Sequence, residues 1–250
     1  EKILEGYEPR LQGFDKVPPN IEAVKKAITP ETAAILIEPI QGEGGIIEFS
    51  ADFLKALRKT CDENGLLLFF DEIQCGVGRT GKLFAHEYFG ITPDLMAIAK
   101  GIGGGFPMGA FLMKEHVAKV IKPGCHGTTF GGNPLAMAVG NAILDIVNQP
   151  KFLLQVQEVG NYLKEKLSGL QNRYPEVIQD VRGLGLMLGV KLKDNFKNTE
   201  LRDILLSLNL VTGVAGENVI RFLPALNIEQ AQIDDALVLI DQALQEISKK

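Results

Sequence analysis

Asp71 and Lys100 each close an apolar run that reads as a buried strand. Leu66-Leu67-Leu68-Phe69-Phe70 precedes the acid, and Leu95-Met96-Ala97-Ile98-Ala99 precedes the lysine, which Gly101, Gly103, Gly104 and Gly105 then follow. Two such strands running parallel deliver the carboxylate and the amine to one edge of a sheet. There the amine can form a Schiff base with an aldehyde, and the carboxylate can keep a pyridine nitrogen protonated so that the ring accepts electrons. Pyridoxal phosphate chemistry needs both.

Taken singly, neither residue carries that reading. A lysine at a strand end is ordinarily a solvated surface group, and Asp-Glu at a strand end ordinarily forms a turn or caps a helix. What joins them is the loop His126-Gly127-Thr128-Thr129-Phe130-Gly131-Gly132-Asn133-Pro134, which opens a helix. Hydroxyls, glycine N–H groups and a helix N-terminus suit a phosphate, although an ordinary capped turn has the same composition. A rival reading comes from Gly76-Val77-Gly78-Arg79-Thr80-Gly81-Lys82, which fits the first seven positions of a P-loop, with Asp71-Glu72 in place of its acidic strand. Against a P-loop NTPase, the eighth position is Leu83, not a magnesium-binding Ser or Thr, and the loop follows the acidic strand instead of a strand of its own.

The elements that must position these groups alternate between strand and helix, which predicts a parallel sheet covered by helices. Ile21–Ile28 reads as a short helix stopped by Pro30, and Ala33–Ile37 as a strand ending in Glu38-Pro39. Ser50 caps a helix with Phe53, Leu54, Leu57 and Cys61 on one face, and Gly65 ends it. A short strand at Gly109–Met113 completes the βαβ-like units of that sheet. Asn133-Pro134 starts a helix that runs to about Asn148, and a second helix carries Leu153, Val156, Val159, Leu163, Leu167 and Leu170 on its apolar side. Strands over Val181–Leu192 and Val219–Leu223 and a closing helix with Ile233, Ala236, Leu237, Ile240, Leu244 and Ile247 form a small α+β lobe. The change of rhythm puts a boundary near Asn148, giving domains 1–148 and 149–250.

Composition limits the other possibilities. With 250 residues, 46% of them hydrophobic and 23% charged, the chain can bury a substantial core. A net charge of -5 gives no basic face for nucleic acid or an anionic membrane. The three cysteines, Cys61, Cys75 and Cys125, have no paired spacing, as expected of free thiols in a reducing compartment. No apolar run approaches a membrane span and no signal-peptide pattern opens the chain. A soluble, cytoplasmic protein is expected, with no metal site.

Three segments together resemble one family. Phe70-Asp71-Glu72-Ile73-Gln74, Ala97-Ile98-Ala99-Lys100-Gly101 with Gly103-Gly104-Gly105-Phe106-Pro107, and His126 through Pro134 are similar to the class III pyridoxal-phosphate-dependent aminotransferases. They stand in the right order, with the 29-residue interval from Asp71 to Lys100. The likeness is nearest to the members acting on N-acetylornithine, with those acting on ornithine next. It implies the C-terminal half of the large domain of the aspartate-aminotransferase-like α/β fold plus a small α+β C-terminal domain. Lys100 would carry the Schiff base and move the proton, and Asp71 would hold the pyridinium proton. Gln74 would hydrogen-bond the phenolic oxygen, and Ile73 would pack on the ring face. Thr129 would bind the phosphate in the neighbouring subunit of a homodimer.

The same resemblance extends to substrate. Glu38-Pro39-Ile40-Gln41-Gly42-Glu43 and Val219-Ile220-Arg221-Phe222-Leu223-Pro224 match family segments. Arg221 would bind the α-carboxylate of glutamate or 2-oxoglutarate, and Glu43 would pair with Arg221 when the other substrate occupies the site. The implied reaction passes the δ-amino group of N-acetylornithine to 2-oxoglutarate, as in arginine biosynthesis. Action on ornithine or succinylornithine is the alternative within the family.

The chain departs from the family at its start. The N-terminal lobe, a phosphate cup, the aromatic that stacks on the ring and a substrate-binding arginine have no counterpart in it. It therefore reads as a piece of an aminotransferase, with little or no turnover of its own, or as a truncated, non-catalytic module of the same fold. Intact Lys100, Asp71 and Thr129 favour the first.

Overall fold

The computed structural model describes residues 5–9 and 11–249. Helix α1 (Ile21–Ala27) is capped by Asn20, whose side chain accepts from the Ala23 N–H at 2.8 Å. Strand β1 (Ala34–Ile37) follows, then a small antiparallel hairpin of β2 (Ile40–Gln41) and β3 (Ile47–Glu48). Helix α2 (Ala51–Asn64) starts where Ser50 Oγ accepts from the Phe53 N–H at 3.2 Å, and it stops at Gly65, which takes the left-handed conformation at φ +66°. Strands β4 (Leu67–Asp71), β5 (Leu95–Ile98) and β6 (Ala110–Met113) complete a four-stranded sheet in the order β1-β4-β5-β6. Leu54, Leu57 and Cys61 of α2 pack on Leu68 and Phe70 of β4, all wholly buried. Each leucine of that kind contributes about 1.5–3 kcal/mol of burial.

Strands β1, β4 and β5 are parallel, as the alternating pattern predicts, but β6 runs antiparallel to β5. The reason is the length of the connection. Between Ile98 and Ala110 lie only a 3-10 turn at Lys100–Gly103 and a glycine loop, whereas a parallel crossover takes about a dozen residues or more, usually with a helix.

Helix α3 (Glu115–Ala118) is a single turn. Helix α4 (Pro134–Val147) begins as expected, with Asn133 Oδ1 accepting from the Ala136 N–H at 2.9 Å and proline in the first turn. Pro150 likewise opens α5 (Pro150–Arg173), which buries Val156, Val159, Leu163, Leu167 and Leu170. They lie against a second, antiparallel sheet of β7 (Ile178–Leu184), β8 (Met187–Leu192), β10 (Val219–Phe222) and β9 (Gly213–Ala215), in that order. Helix α6 (Asn198–Ser207) lies between β8 and β9, and α7 (Gln230–Ile247) closes the lobe. The stretch Val181–Leu192, read as one strand, is a hairpin. Gly185 turns the chain at φ +55°, and Leu184 faces Met187 across the turn. Leu186 at that turn is completely buried, so the apolar pattern runs through it without a break. Helix α6 and strand β9 have no counterpart in the sequence reading.

Backbone contacts that only glycine permits hold the β7–β8 turn between α5 and the loop that follows β4. A Cβ on Gly160 of α5 would fall 2.4 Å from the Gly185 carbonyl group, and one on Gly185 would fall 2.5 Å from the Thr80 carbonyl carbon. Arg79 donates to the Leu186 and Pro224 carbonyl oxygens at 3.0 and 2.6 Å. Burial lowers its pKa to about 10, which leaves it charged at neutral pH. These contacts dispose of the P-loop reading. Gly76–Lys82 is a series of turns leading into a short 3-10 helix at Ala85–Phe89, with Arg79 tied into the second lobe. A phosphate-cradling loop needs a strand before it and a helix N-terminus after it.

Candidate active site

Because β1, β4 and β5 are parallel, their C-terminal ends share one edge, the usual location of ligands in sheets of this kind. Ile37 is in register with Phe70, and Asp71 with Ala97. Glu38 and Asp71 therefore leave the sheet side by side, and Lys100 follows three residues after Ala97, near enough for its charge to act on Glu38. Successive strand residues face opposite ways, which separates Asp71 from Glu72. Glu72 is fully buried and accepts from the Ala85 and His86 N–H groups at 2.5 and 2.9 Å, with His86 Nδ1 2.9 Å from the same carboxylate. It anchors the following segment, while half-buried Asp71 faces the sheet edge and accepts from the Ile73 N–H at 2.9 Å through Oδ1 alone.

Lys100 is exposed and has φ +50°, a left-handed conformation unusual for a residue with a side chain. Strain of that kind persists where surrounding structure enforces it and clusters at functional sites. Its amine has no hydrogen-bond or ion-pair partner among the described residues, and its charge acts on Glu38 and Glu43.

Arg221 of β10 comes to the same place from the second sheet. Its Nη1 donates to Glu43 Oε1 at 2.5 Å and to Gln74 Oε1 at 3.0 Å, and Gln74 Nε2 donates to Glu43 at 3.3 Å. Glu43 sits in the β2–β3 turn, so the triangle joins a hairpin, the loop after β4, and β10. The hydrogen bond from Arg221 holds the Glu43 carboxyl below its ordinary value, against a smaller opposing effect of burial. Glu38 moves the other way. Burial raises it, the Gly42 N–H at 3.0 Å lowers it in part, and the Asp71 charge adds to the rise.

The fold thus gathers Asp71, Lys100, Gln74, Glu43 and Arg221, with Ile73 half-buried next to Asp71. Thr129 stands apart in an exposed loop, and no hydrogen bond or ion pair among the described residues ties it to the cluster. Glu38 had no role in the sequence reading, yet it ends a buried parallel strand just as Asp71 does, and the same rule applied to β1 finds it. The donor set fits pyridoxal phosphate. An aldehyde needs an amine free of carboxylate partners, which Lys100 provides, and a pyridine nitrogen needs an adjacent anion, which Asp71 can be. Gln74 fits less simply, since both ends of its amide are engaged by Glu43 and Arg221.

A parallel sheet ending in an acid and a strained lysine, with an arginine brought in from a second lobe, has the arrangement that suits a cofactor held through an amine. The family model of the class-III aminotransferases matches residues 8–244, and the chain belongs to that family, whose members are pyridoxal phosphate enzymes. The acetylornithine aminotransferase of Mesorhizobium japonicum is 55% identical over 237 residues, covering 94% of this chain and 59% of that protein. The succinylornithine transaminase of Photorhabdus laumondii is 46% identical, over 97% of this chain and 61% of its own length. Among solved structures, the ornithine aminotransferase of Toxoplasma gondii superposes with a TM-score of 0.92 at 30% identity, over 99% of this chain and 60% of that one. The chain therefore spans about three-fifths of the length of the relatives it matches.

Proposed function

We propose that these residues serve an aminotransferase that moves the δ-amino group of N-acetylornithine to 2-oxoglutarate. The observation that carries this is the Arg221 guanidinium covered by Glu43 beside a lysine that has no hydrogen-bond or ion-pair partner among the described residues. An arginine fork matches a carboxylate bidentately. A removable carboxylate cover lets one pocket take two differently shaped substrates. With Glu43 aside, Arg221 holds the α-carboxylate of 2-oxoglutarate or glutamate. With Glu43 in place, the pocket admits a donor whose reacting amine lies far from its carboxylate.

Lys100 would hold the cofactor through its Nζ, Asp71 would stand at the ring nitrogen, Gln74 at the phenolic oxygen, and Ile73 against the ring face. When bound, pyridoxal phosphate supplies an electron sink for the substrate carbon that bears the amine. Lys100 Nζ would act as the base that moves the proton between that carbon and the cofactor. Gln74 has to release one of its two present partners to serve the phenolic oxygen, which links that contact to the Arg221–Glu43 pair.

The same reading divides the chain near Asn148, since one hydrophobic cluster gathers buried residues from Val156 onward only. It makes the enzyme a homodimer in which Thr129 completes the neighbouring site. The exposed apolar side chains of Phe130, Leu135 and Met137, at 80%, 62% and 41% and close to Thr129 in the chain, support that. No helix among the described residues is long and apolar enough to cross a membrane. Cys61, Cys75 and Cys125 are free thiols, in keeping with the reducing cytoplasm.

Assay of the complete gene product with N-acetylornithine, succinylornithine, ornithine and 4-aminobutyrate, each against 2-oxoglutarate, tests the proposal. N-acetylornithine should be the best donor, with succinylornithine second. Transfer from none of them, or a preference for 4-aminobutyrate, would overturn it.

A further inference from the structure

The hairpin that carries Glu43 is held at several points by the second lobe. Arg182 of β7 donates from Nε to the Gly45 carbonyl at 2.8 Å. Its Nη2 is buried with no hydrogen-bond partner among the described residues, 3.8 Å from Glu217 Oε2 and so near Gly45 that a Cβ there would lie 2.9 Å from it. The Gly216 N–H donates to the carbonyl of Glu43 itself at 2.8 Å. At the far end of the hairpin the Gly183 N–H donates to Glu48 Oε1 at 2.5 Å. Between these points Ile46 is wholly buried and packs against Gly189, which is the register partner of Arg221.

We infer that Arg182 is a positioning residue for substrate selection: by clamping the Gly45 carbonyl it keeps the Glu43 backbone where the Glu43 carboxylate covers Arg221. Glu43 is well exposed and reaches Arg221 through a flexible side chain, so only its backbone placement makes the pairing favourable. A guanidinium with one donor aimed at the Gly45 carbonyl and another nitrogen close against the same glycine fixes both the distance and the orientation of the turn. Arg182 and Gly216 flank the Glu43–Gly45 turn and hold it in two places. This inference rests on the proposed use of the Glu43–Arg221 pair.

The test uses the complete, cofactor-loaded enzyme and measures single-turnover rates for both half-reactions. Glu43→Ala is the reference, and it should favour the glutamate half-reaction relative to the amine-donor half. Arg182→Met should move the ratio in the same direction by about 2–10-fold, the worth of one hydrogen bond, and Arg182→Lys should restore part of it. In the Glu43→Ala background Arg182→Met should add nothing to the ratio. Deuterium exchange of the hairpin amides over residues 42–48, measured without cofactor, should be faster in Arg182→Met. If that variant does not fold, Gly216→Ala carries the test, because its Cβ would press on the Gly44 and Glu43 carbonyl oxygens at 3.0 and 3.1 Å. Equal scaling of both half-reactions, an additive effect in the double variant, or unchanged hairpin exchange would overturn the inference. If Glu43→Ala alone leaves the ratio unmoved, the Glu43–Arg221 reading falls first, and Arg182 with it.

Discussion

Replacing Asp94 with asparagine should destabilise the protein by about 2 kcal/mol at neutral pH, and by less and less in acid. Asp94 precedes β5 and is only 5% exposed. Its Oδ2 accepts from Arg58 Nη1 at 2.6 Å and from the Leu68 N–H at 2.9 Å, and its Oδ1 accepts from Lys114 Nζ at 2.9 Å. One carboxylate thus ties α2, β4 and the residue after β6 around the strand that leads to Lys100. Burial by itself would raise its pKa. The Leu68 N–H, Lys114 and Arg58 together outweigh burial and bring it from an ordinary 3.8 down to about 2.

Each pH unit of that separation is worth about 1.4 kcal/mol. Because the folded value is the lower one, the contribution is complete well above the unfolded value of 3.8. About half is gone by pH 3, and the rest is lost as pH falls through about 2. Asparagine keeps the shape and an acceptor but does not titrate. Urea denaturation of both proteins between pH 7 and pH 3 should therefore show a stability gap that narrows with acid. A gap of constant size would place the effect in packing instead of charge, and no gap at pH 7 would refute the reasoning altogether.

Two further substitutions probe the site and the packing of α5 on the β7–β8 turn. Arg221→Lys removes the fork but keeps the charge, so the glutamate half-reaction should weaken by about 10–100-fold, the worth of a charge-assisted hydrogen bond. The amine-donor half should change by less than about 3-fold on the same scale, and equal losses in stopped-flow measurements would contradict the assigned role. Gly160→Ala puts a methyl group against the Gly185 backbone. It should cost about 1–3 kcal/mol by overpacking, despite the roughly 1 kcal/mol that alanine gains in a helix. A variant with a higher melting temperature would show that the contact relaxes without cost.

What could be read from the chain beforehand follows from how local each signal is. Helices α2 and α4 carry their caps in Ser50, Gly65, Asn133 and Pro134, within a turn of the backbone groups they satisfy, and both were legible. Strands β4 and β5 announce themselves as apolar runs with a charge at the end, which is why Asp71 and Lys100 stood out. The direction of β6 depends on what the loop from Lys100 can span, and the β7–β8 turn hides behind the buried Leu186. Arg182 and Asp94 escaped notice for a different reason. Their partners lie far off in sequence, 137 residues away for Gly45 and 20, 26 and 36 residues away for Lys114, Leu68 and Arg58. Only the folded chain brings those groups together. Arg221 and Glu43 are equally distant, 178 residues apart, and their pairing was expected only through the family resemblance.

The most direct test of the account concerns Lys100. The complete protein loaded with pyridoxal phosphate is reduced with borohydride, digested and analysed by mass spectrometry. One pyridoxyl adduct is expected, on the peptide containing Lys100, and it should disappear in Lys100→Ala. An adduct on another lysine, or none in a protein that retains the cofactor, would contradict it.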